Sequence, residues 1–330
     1  MALRIALIGC GSMGKRWASA IAAYESATLE AIIDREKSIA EETARKYGAK
    51  AFSAIEEMPR EVRPDACIIA TPHQFLAPLA KRAIEMGMHV LSEKPGAKRP
   101  EEMREVVELA REKDLRFMIG YNYRFFPSLL KAKEIVDAGK VGDIMFIRAR
   151  HGFGGRPGYD MNWRHKREIS GGGELIDQGS HLIDLARWFL GDISDSRGFL
   201  EDAFWKTGVE DNAFLLLKSS EGKVASLHAS WTQWAPLFSF EIYGTKGVVE
   251  IQGLGRKYGD GERVVIRERK DDFSSVEEKV IECDPDADKA LTRELEEFSR
   301  AIYEKRDPVP SGKDALAVLE IIADIYGKDQ

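Results

Sequence analysis

Leu3-Arg4-Ile5-Ala6-Leu7-Ile8-Gly9-Cys10-Gly11-Ser12-Met13-Gly14 is the stretch that decides the fold of this chain. A short apolar run ends in glycine, the glycines follow the spacing G-x-G-x-x-G, and an amphipathic helix pattern opens at once over residues 12–24. Glycines at those positions permit the tight turn from strand to helix, and they let a pyrophosphate lie on the helix N-terminus. A second apolar run, residues 29–33, ends at Asp34, 20 residues after Gly14. That is where a carboxylate holds the ribose hydroxyls of a dinucleotide. Gly9, Gly11, Ser12, Met13, Gly14 and Asp34 are therefore read as dinucleotide-binding residues. Asp34 would repel a 2′-phosphate and favours NAD; Arg35 beside it is able to accept that phosphate, so NADP stays open.

Working outward, the alternation continues. A charged amphipathic helix is expected over residues 36–47, and short strands over 67–70, 89–91 and 117–119 are separated by helices over 74–87 and 100–113. Strands alternating with helices imply βαβ units and a parallel sheet, so residues 1–121 read as a Rossmann domain. Beyond residue 122 the rhythm changes to a helix near 128–138, a strand near 143–150, a Gly-rich loop to about 170, and then strands in succession. Ala225, Leu227, Ala229 and Trp231 alternate with polar residues, as do Phe238, Phe240 and Ile242. Period-two alternation predicts a large, mostly antiparallel sheet with one core face. Two amphipathic helices, 288–305 and 313–326, close the chain, and residues 122–330 read as an α+β domain for substrate binding and oligomerisation.

Within that second half stands Gly171-Gly172-Gly173-Glu174-Leu175-Ile176-Asp177-Gln178-Gly179-Ser180-His181-Leu182-Ile183-Asp184. Three glycines let a ligand or another backbone come close. The residues after them fit an apolar helical stripe, on which Asp177 and His181, four apart, share a face. A carboxylate beside an imidazole orients a general base; a helix start with favourable acidic residues and an ordinary histidine fits the segment equally well.

Glu93-Lys94-Pro95 directly follows a strand, at the carboxyl edge of the parallel sheet where ligands of open α/β sheets bind. These motifs, in this order, resemble the Gfo/Idh/MocA oxidoreductases (glucose–fructose oxidoreductase, inositol dehydrogenase and relatives). Tyr121-Asn122-Tyr123-Arg124-Phe125 and Trp163-Arg164 match further segments common in that family, and the resemblance covers nearly the whole chain. It implies a Rossmann domain followed by an α/β domain whose sheet often forms the subunit interface, hence a homodimer or homotetramer. It implies Lys94, Asp177 and His181 as the catalytic group, and Asn122, Arg124, Trp163 and Arg164 as lining for the substrate. Thr71, Pro72, His73, Glu93 and Lys94 are counted with the cofactor residues. The chain departs from the family after Thr71-Pro72. Many relatives have Asn at the position of His73 and His at that of Leu76, so His73 is read as local structure and side-chain contacts made there by relatives do not carry over.

Composition narrows the classes further. Lys+Arg total 49 against 55 Asp+Glu, a net charge of -6 with no dense basic run, which argues against nucleic acid. No apolar run approaches the roughly 18 residues that span a bilayer, and the chain opens on a strand without a leader pattern. Cys10, Cys67 and Cys283 are far apart and odd in number, as in reduced thiols of a cytoplasmic protein, with no metal spacing. The expected activity is an NAD(P)-dependent dehydrogenase acting on a secondary alcohol of a sugar, sugar acid, nucleotide sugar or inositol. His181 is then the general base, Lys94 hydrogen-bonds the reacting oxygen, and Asp177 orients His181 or holds a neighbouring hydroxyl. Two other classes stay in view: a glycosidase that retains NAD, and a non-catalytic dinucleotide sensor, which has no use for Lys94, Asp177 and His181 together.

Overall fold

A computed structural model describes residues 2–59 and 61–328. Its backbone contacts divide the chain into two units, Met1–Tyr121 with Leu291–Ala317, and Asn122–Ala290 with Val318–Gln330.

The first unit runs β1 (Leu3–Ile8), α1 (Ser12–Ala23), β2 (Ala27–Ile33), α2 (Lys37–Tyr47), β3 (Lys50–Phe52), β4 (Ala66–Ile69), α3 (His73–Glu85), β5 (His89–Glu93), α4 (Pro100–Glu112) and β6 (Phe117–Gly120). The six strands form a parallel sheet in the order β3-β2-β1-β4-β5-β6, the doubly wound arrangement expected from the alternation. Strands β1 and β4 are almost wholly buried, which is why their sequences read as unbroken apolar runs. The chain starts winding in the opposite direction between β1 and β4, and the glycine turn after β1 opens there.

The second unit begins with α5 (Pro127–Asp137) and β7 (Ile144–Gly152). Short 3₁₀ turns at Tyr159–Met161 and Trp163–His165, and α6 (Arg167–Ser170), order the Gly-rich loop. Then come α7 (Ser180–Leu190), β8 (Ile193–Glu201), β9 (Asn212–Ser219), β10 (Val224–Ser230), β11 (Leu237–Gly244), β12 (Gly247–Leu254), β13 (Tyr258–Arg269) and β14 (Val276–Cys283). Their eight-stranded sheet has the order β14-β13-β12-β11-β7-β10-β9-β8; only the β7–β10 pair is parallel. The expected core positions Ala225, Leu227, Ala229, Trp231, Phe238, Phe240 and Ile242 are all buried, although Ser230 and Ser239 between them are buried as well.

Helices α8 (Ala287–Tyr303) and α9 (Gly312–Lys328) close the chain. Residues 291–317, grouped by the sequence reading with the second domain, pack with the parallel sheet. Ile119 N–H donates to the Pro310 carbonyl at 3.3 Å and Met118 bridges Ser311, so the returning chain covers edge strand β6. Gly312 allows this approach, since a Cβ there would stand 2.5 Å from the Phe117 ring.

The triple-glycine segment also differs from the regular helix expected. Leu175–Gly179 forms a π-helical turn that leads into α7. What comes close to the glycines is protein. A Cβ on Gly173 would lie 2.0 Å from the Glu210 carbonyl oxygen, and one on Gly172 would lie 1.9 Å from the Tyr326 hydroxyl. The Glu210 side chain accepts from Gly173 N–H (2.9 Å), Leu175 N–H (3.2 Å) and Tyr326 O–H (2.7 Å). Among the described residues no helix is long and apolar enough to cross a membrane, and no cluster of three or more His, Cys, Asp or Glu is placed to hold a metal ion.

Candidate active site

At the carboxyl edge of the parallel sheet, the cradle is built by contacts that leave no room for side chains. Gly9 has φ +93, and a Cβ on it would stand 2.5 Å from the Ala70 carbonyl oxygen; a Cβ on Gly14 would stand 1.8 Å from the Gly9 carbonyl oxygen. Gly11, the N-cap of α1, faces open space. The first turn of α1 has neither a side-chain cap nor an acidic residue, so its N–H groups and positive dipole end are directed at whatever lies before them. This geometry fits the pyrophosphate of a dinucleotide.

Asp34 closes the cradle from the end of β2. Its Oδ2 accepts from Cys10 N–H at 2.7 Å and its Oδ1 from Glu36 N–H at 3.0 Å. A carboxylate has about four lone-pair sites, so two amides leave acceptor capacity for ribose hydroxyls. Arg35 is exposed and lies 3.8 Å from Glu36. Thr71 and Pro72 follow β4, and His73 is the buried first residue of α3, in keeping with a role in local structure. Glu93 ends β5 and accepts from Trp17 Nε1–H at 2.7 Å, fixing the strand end from which half-buried Lys94 projects.

In the second unit, Asp177 and His181 are 2% and 4% exposed. The Tyr123 ring stacks flat on His181, centroids 3.8 Å apart and planes within 7°. The Tyr123 hydroxyl meets His151 Nε2 at 3.1 Å and donates to Gln178 Oε1 at 3.2 Å. Burial pushes this phenol well above its ordinary pKa, so it stays protonated. Asp177 Oδ2 accepts from Arg164 Nε–H at 3.0 Å. Burial works against the Arg164 charge, but the Asp177 carboxylate more than offsets it and raises the guanidinium pKa. Arg164 in turn lies over the Trp163 ring, 4.5 Å from its centroid, and Asn162 Oδ1 caps its turn.

Arg164 thus joins Asp177 to Trp163, His181 follows Asp177 by four residues on the same helical run, and half-buried Asn122 opens the 3₁₀ turn that carries Tyr123. Arg124 departs from its expected place in the substrate lining. It is buried, and its fork is engaged by Asp184, Nε–Oδ2 2.8 Å and Nη2–Oδ1 2.6 Å. The two lie 60 residues apart in sequence, so nothing local announces the pair. His165 also turns inward, bonding Thr207 at 2.9 Å and packing on Trp231; burial lowers its pKa.

Tyr123, Gln178 and Tyr258 were not singled out from sequence. Tyr123 was visible as part of a quoted segment; Tyr258 reaches the site only because β13 pairs with β12, bringing its ring 4.5 Å from His151.

Comparison with known proteins agrees with both halves. Residues 3–121 match the family described as oxidoreductases with an NAD-binding Rossmann fold, and residues 129–250 match the GFO/IDH/MocA C-terminal domain. The chain is 28% identical over 286 residues to levoglucosan dehydrogenase of Pseudarthrobacter phenanthrenivorans, covering 75% of this chain and 73% of that protein. It is 26% identical over 332 residues to inositol 2-dehydrogenase of Rhizobium meliloti, covering 97% and 95%. A structure of levoglucosan dehydrogenase in complex with NADH and levoglucosan superposes with a TM-score of 0.90 at 24% identity, covering 100% of this chain and 97% of that one, which shows the common fold.

Proposed function

The chain belongs to the Gfo/Idh/MocA family and is an NAD(P)-dependent oxidoreductase, and from that premise we propose that it is a dehydrogenase for a secondary alcohol of a small polyhydroxylated compound. Sugars, sugar acids, nucleotide sugars and inositols make up the class, in keeping with the sugar and inositol dehydrogenases among its relatives. The observation that carries this reading is the ion pair of buried Asp177 with half-buried Arg164 and, four residues after Asp177, a tyrosine-stacked His181, in a chain whose parallel strands end in a glycine cradle that fits a dinucleotide.

NAD(P), held by the Gly9–Gly14 turn and Asp34, would supply the hydride acceptor for oxidation of the carbinol, or the hydride donor for the reverse reaction. The residues do the rest. His181 removes the hydroxyl proton as general base, its ring held in one plane by Tyr123. Lys94 donates to the same oxygen and favours its developing negative charge. Asp177, with Arg164 on one oxygen, holds its carboxylate for a neighbouring hydroxyl or for His181. Thr71 and Glu93, with the Gly9–Gly14 turn, are proposed to hold the cofactor, and Asn122, Trp163 and Arg164 the substrate. We place the enzyme in the cytoplasm, as a homodimer or homotetramer joined through the large sheet.

Calorimetry tests the cofactor half of this reading. NAD(H) should bind at micromolar strength and more tightly than NADP(H), because Asp34, at the end of β2, is proposed to accept from the ribose hydroxyls while exposed Arg35 lies 3.8 Å from Glu36. Tighter binding of NADP(H) would transfer that discrimination to Arg35. Turnover without added cofactor would instead favour an NAD-retaining hydrolase.

A further inference from the structure

The helical run that carries Asp177 and His181 starts without a cap of its own. No side chain caps the π turn Leu175–Gly179 locally, and three glycines precede its N-cap where Ser, Thr or Asp residues commonly gather. The amides at this start go instead to one distant residue. Gly173 N–H and Leu175 N–H donate to Glu210 Oε1 at 2.9 and 3.2 Å, and Glu174 N–H between them donates to the Glu210 backbone carbonyl at 2.8 Å. Tyr326 O–H, from α9, donates to the same Oε1 at 2.7 Å. The missing side chains at Gly172 and Gly173 admit these groups, because Cβ atoms there would lie 1.9 Å from the Tyr326 hydroxyl and 2.0 Å from the Glu210 carbonyl oxygen.

A cap within a helix only starts it, whereas a cap from elsewhere also fixes where it stands. Glu210 is buried, and the next residue is tied on both sides. Asp211 N–H donates to the Glu201 carbonyl at the end of β8 at 2.9 Å, and the Asp211 carbonyl accepts from Trp231 N–H at 2.8 Å. The segment so held has a rare form, one that recurs at functional sites. A change of one residue in helical register turns a side chain by about 100° and moves it by about 1.5 Å. Asp177 lies inside the π turn, while α7 beyond it is fastened separately by Arg124 on Asp184 and by the Tyr123 ring on His181. A slip at the Glu210 end therefore falls on Asp177, and takes its carboxylate from the Arg164 Nε–H that it accepts at 3.0 Å.

We propose that Glu210, with Tyr326, is a positioning residue of the reaction: it locks the π turn in the register that keeps Asp177 on Arg164 and in step with His181. The inference rests on the dehydrogenase reading above and adds to it a residue that acts through Asp177.

The test uses the full-length enzyme and two readouts. One is single-turnover NADH formation with the substrate found in a screen of sugars, sugar acids, nucleotide sugars and inositols. The other needs no substrate: crystal structures of the variants, in which the π turn and the Arg164–Asp177 bond are read directly. Glu210→Met should relax the turn, break that bond and slow hydride transfer by about 10- to 100-fold, as misplacing a catalytic group by about 1 Å does. NADH affinity should be retained as a sign of folding. Glu210→Gln, which keeps an accepting oxygen, should recover most of the loss, and Tyr326→Phe, which removes one donor, should fall between. In an Asp177→Asn background Glu210→Met should slow the reaction little further, because both act through one carboxylate. Hydride transfer at the wild-type rate in Glu210→Met, a loss that Glu210→Gln does not recover, or a loss that multiplies with that of Asp177→Asn would overturn the proposal. So would a Glu210→Met structure that keeps the π turn and the Arg164–Asp177 bond. Should Glu210→Met fail to fold, Tyr326→Phe takes its place, and a wild-type rate there would overturn the proposal. A relaxed turn in Glu210→Met, with a wild type that forms NADH from no member of the screen, would instead leave the register lock standing and count against the dehydrogenase reading.

Discussion

Arg124 and Asp184 are both buried and joined by two short hydrogen bonds, so each charge depends on the other. Removing one partner leaves an uncompensated charge in low dielectric, which costs about 3–5 kcal/mol. Arg124→Met should therefore lower stability by about that amount in denaturant unfolding, while NADH affinity, which belongs to the first unit, changes little in protein that remains folded. A variant as stable as the wild type would return Arg124 to the substrate lining. The residue scale is also where the sequence was least sufficient. Gly9, Gly14 and Asp34 were legible because their spacing along one strand–turn–helix unit fixes what they touch. Arg124 and Tyr258 were not, because their partners come from segments far away in the chain.

Among the elements, those with a clear apolar period were legible: the strands and helices of the parallel sheet, and the alternating β10 and β11. Strand β14 gives no such signal, since Val276–Cys283 is polar and mostly exposed at the sheet edge. The π turn was also hidden. Residues 175–179 suit an ordinary helix, and the Glu210 backbone and side chain that pack against its start lie on the approach to β9. The outer face of β8–β10 carries a prediction of its own. Phe199 (75% exposed), Leu216 (54%) and Phe214 (46%) stand there, Phe214 stacked on His228 at 4.1 Å. An exposed apolar face of this kind is a candidate interface. Light scattering should find a dimer or tetramer for the wild type and a smaller species for Leu216→Glu with an unchanged circular dichroism spectrum. A monomeric wild type at working concentration would contradict assembly through this sheet.

At the scale of the whole molecule, two domains of the expected kinds are present, but linear order did not disclose that residues 291–317 return to the parallel sheet. Amphipathic periodicity shows which face of a helix is buried, not against which domain. The central claim likewise belongs to the whole chain: we propose that Lys94, at the end of a strand in the first unit, and His181, on α7 of the second, act on one substrate oxygen. A double-mutant cycle on single-turnover NADH formation tests it most directly, using the substrate that the dehydrogenase screen identifies. His181→Asn should slow hydride transfer by about 10²–10⁴-fold, as loss of a positioned base does, and Lys94→Ala should also slow it, with NAD affinity spared in each. Because both act on one proton and one oxygen, the double variant should be little slower than the worse single one. Losses that multiply independently, or a His181→Asn enzyme that transfers hydride at the wild-type rate, would contradict the account.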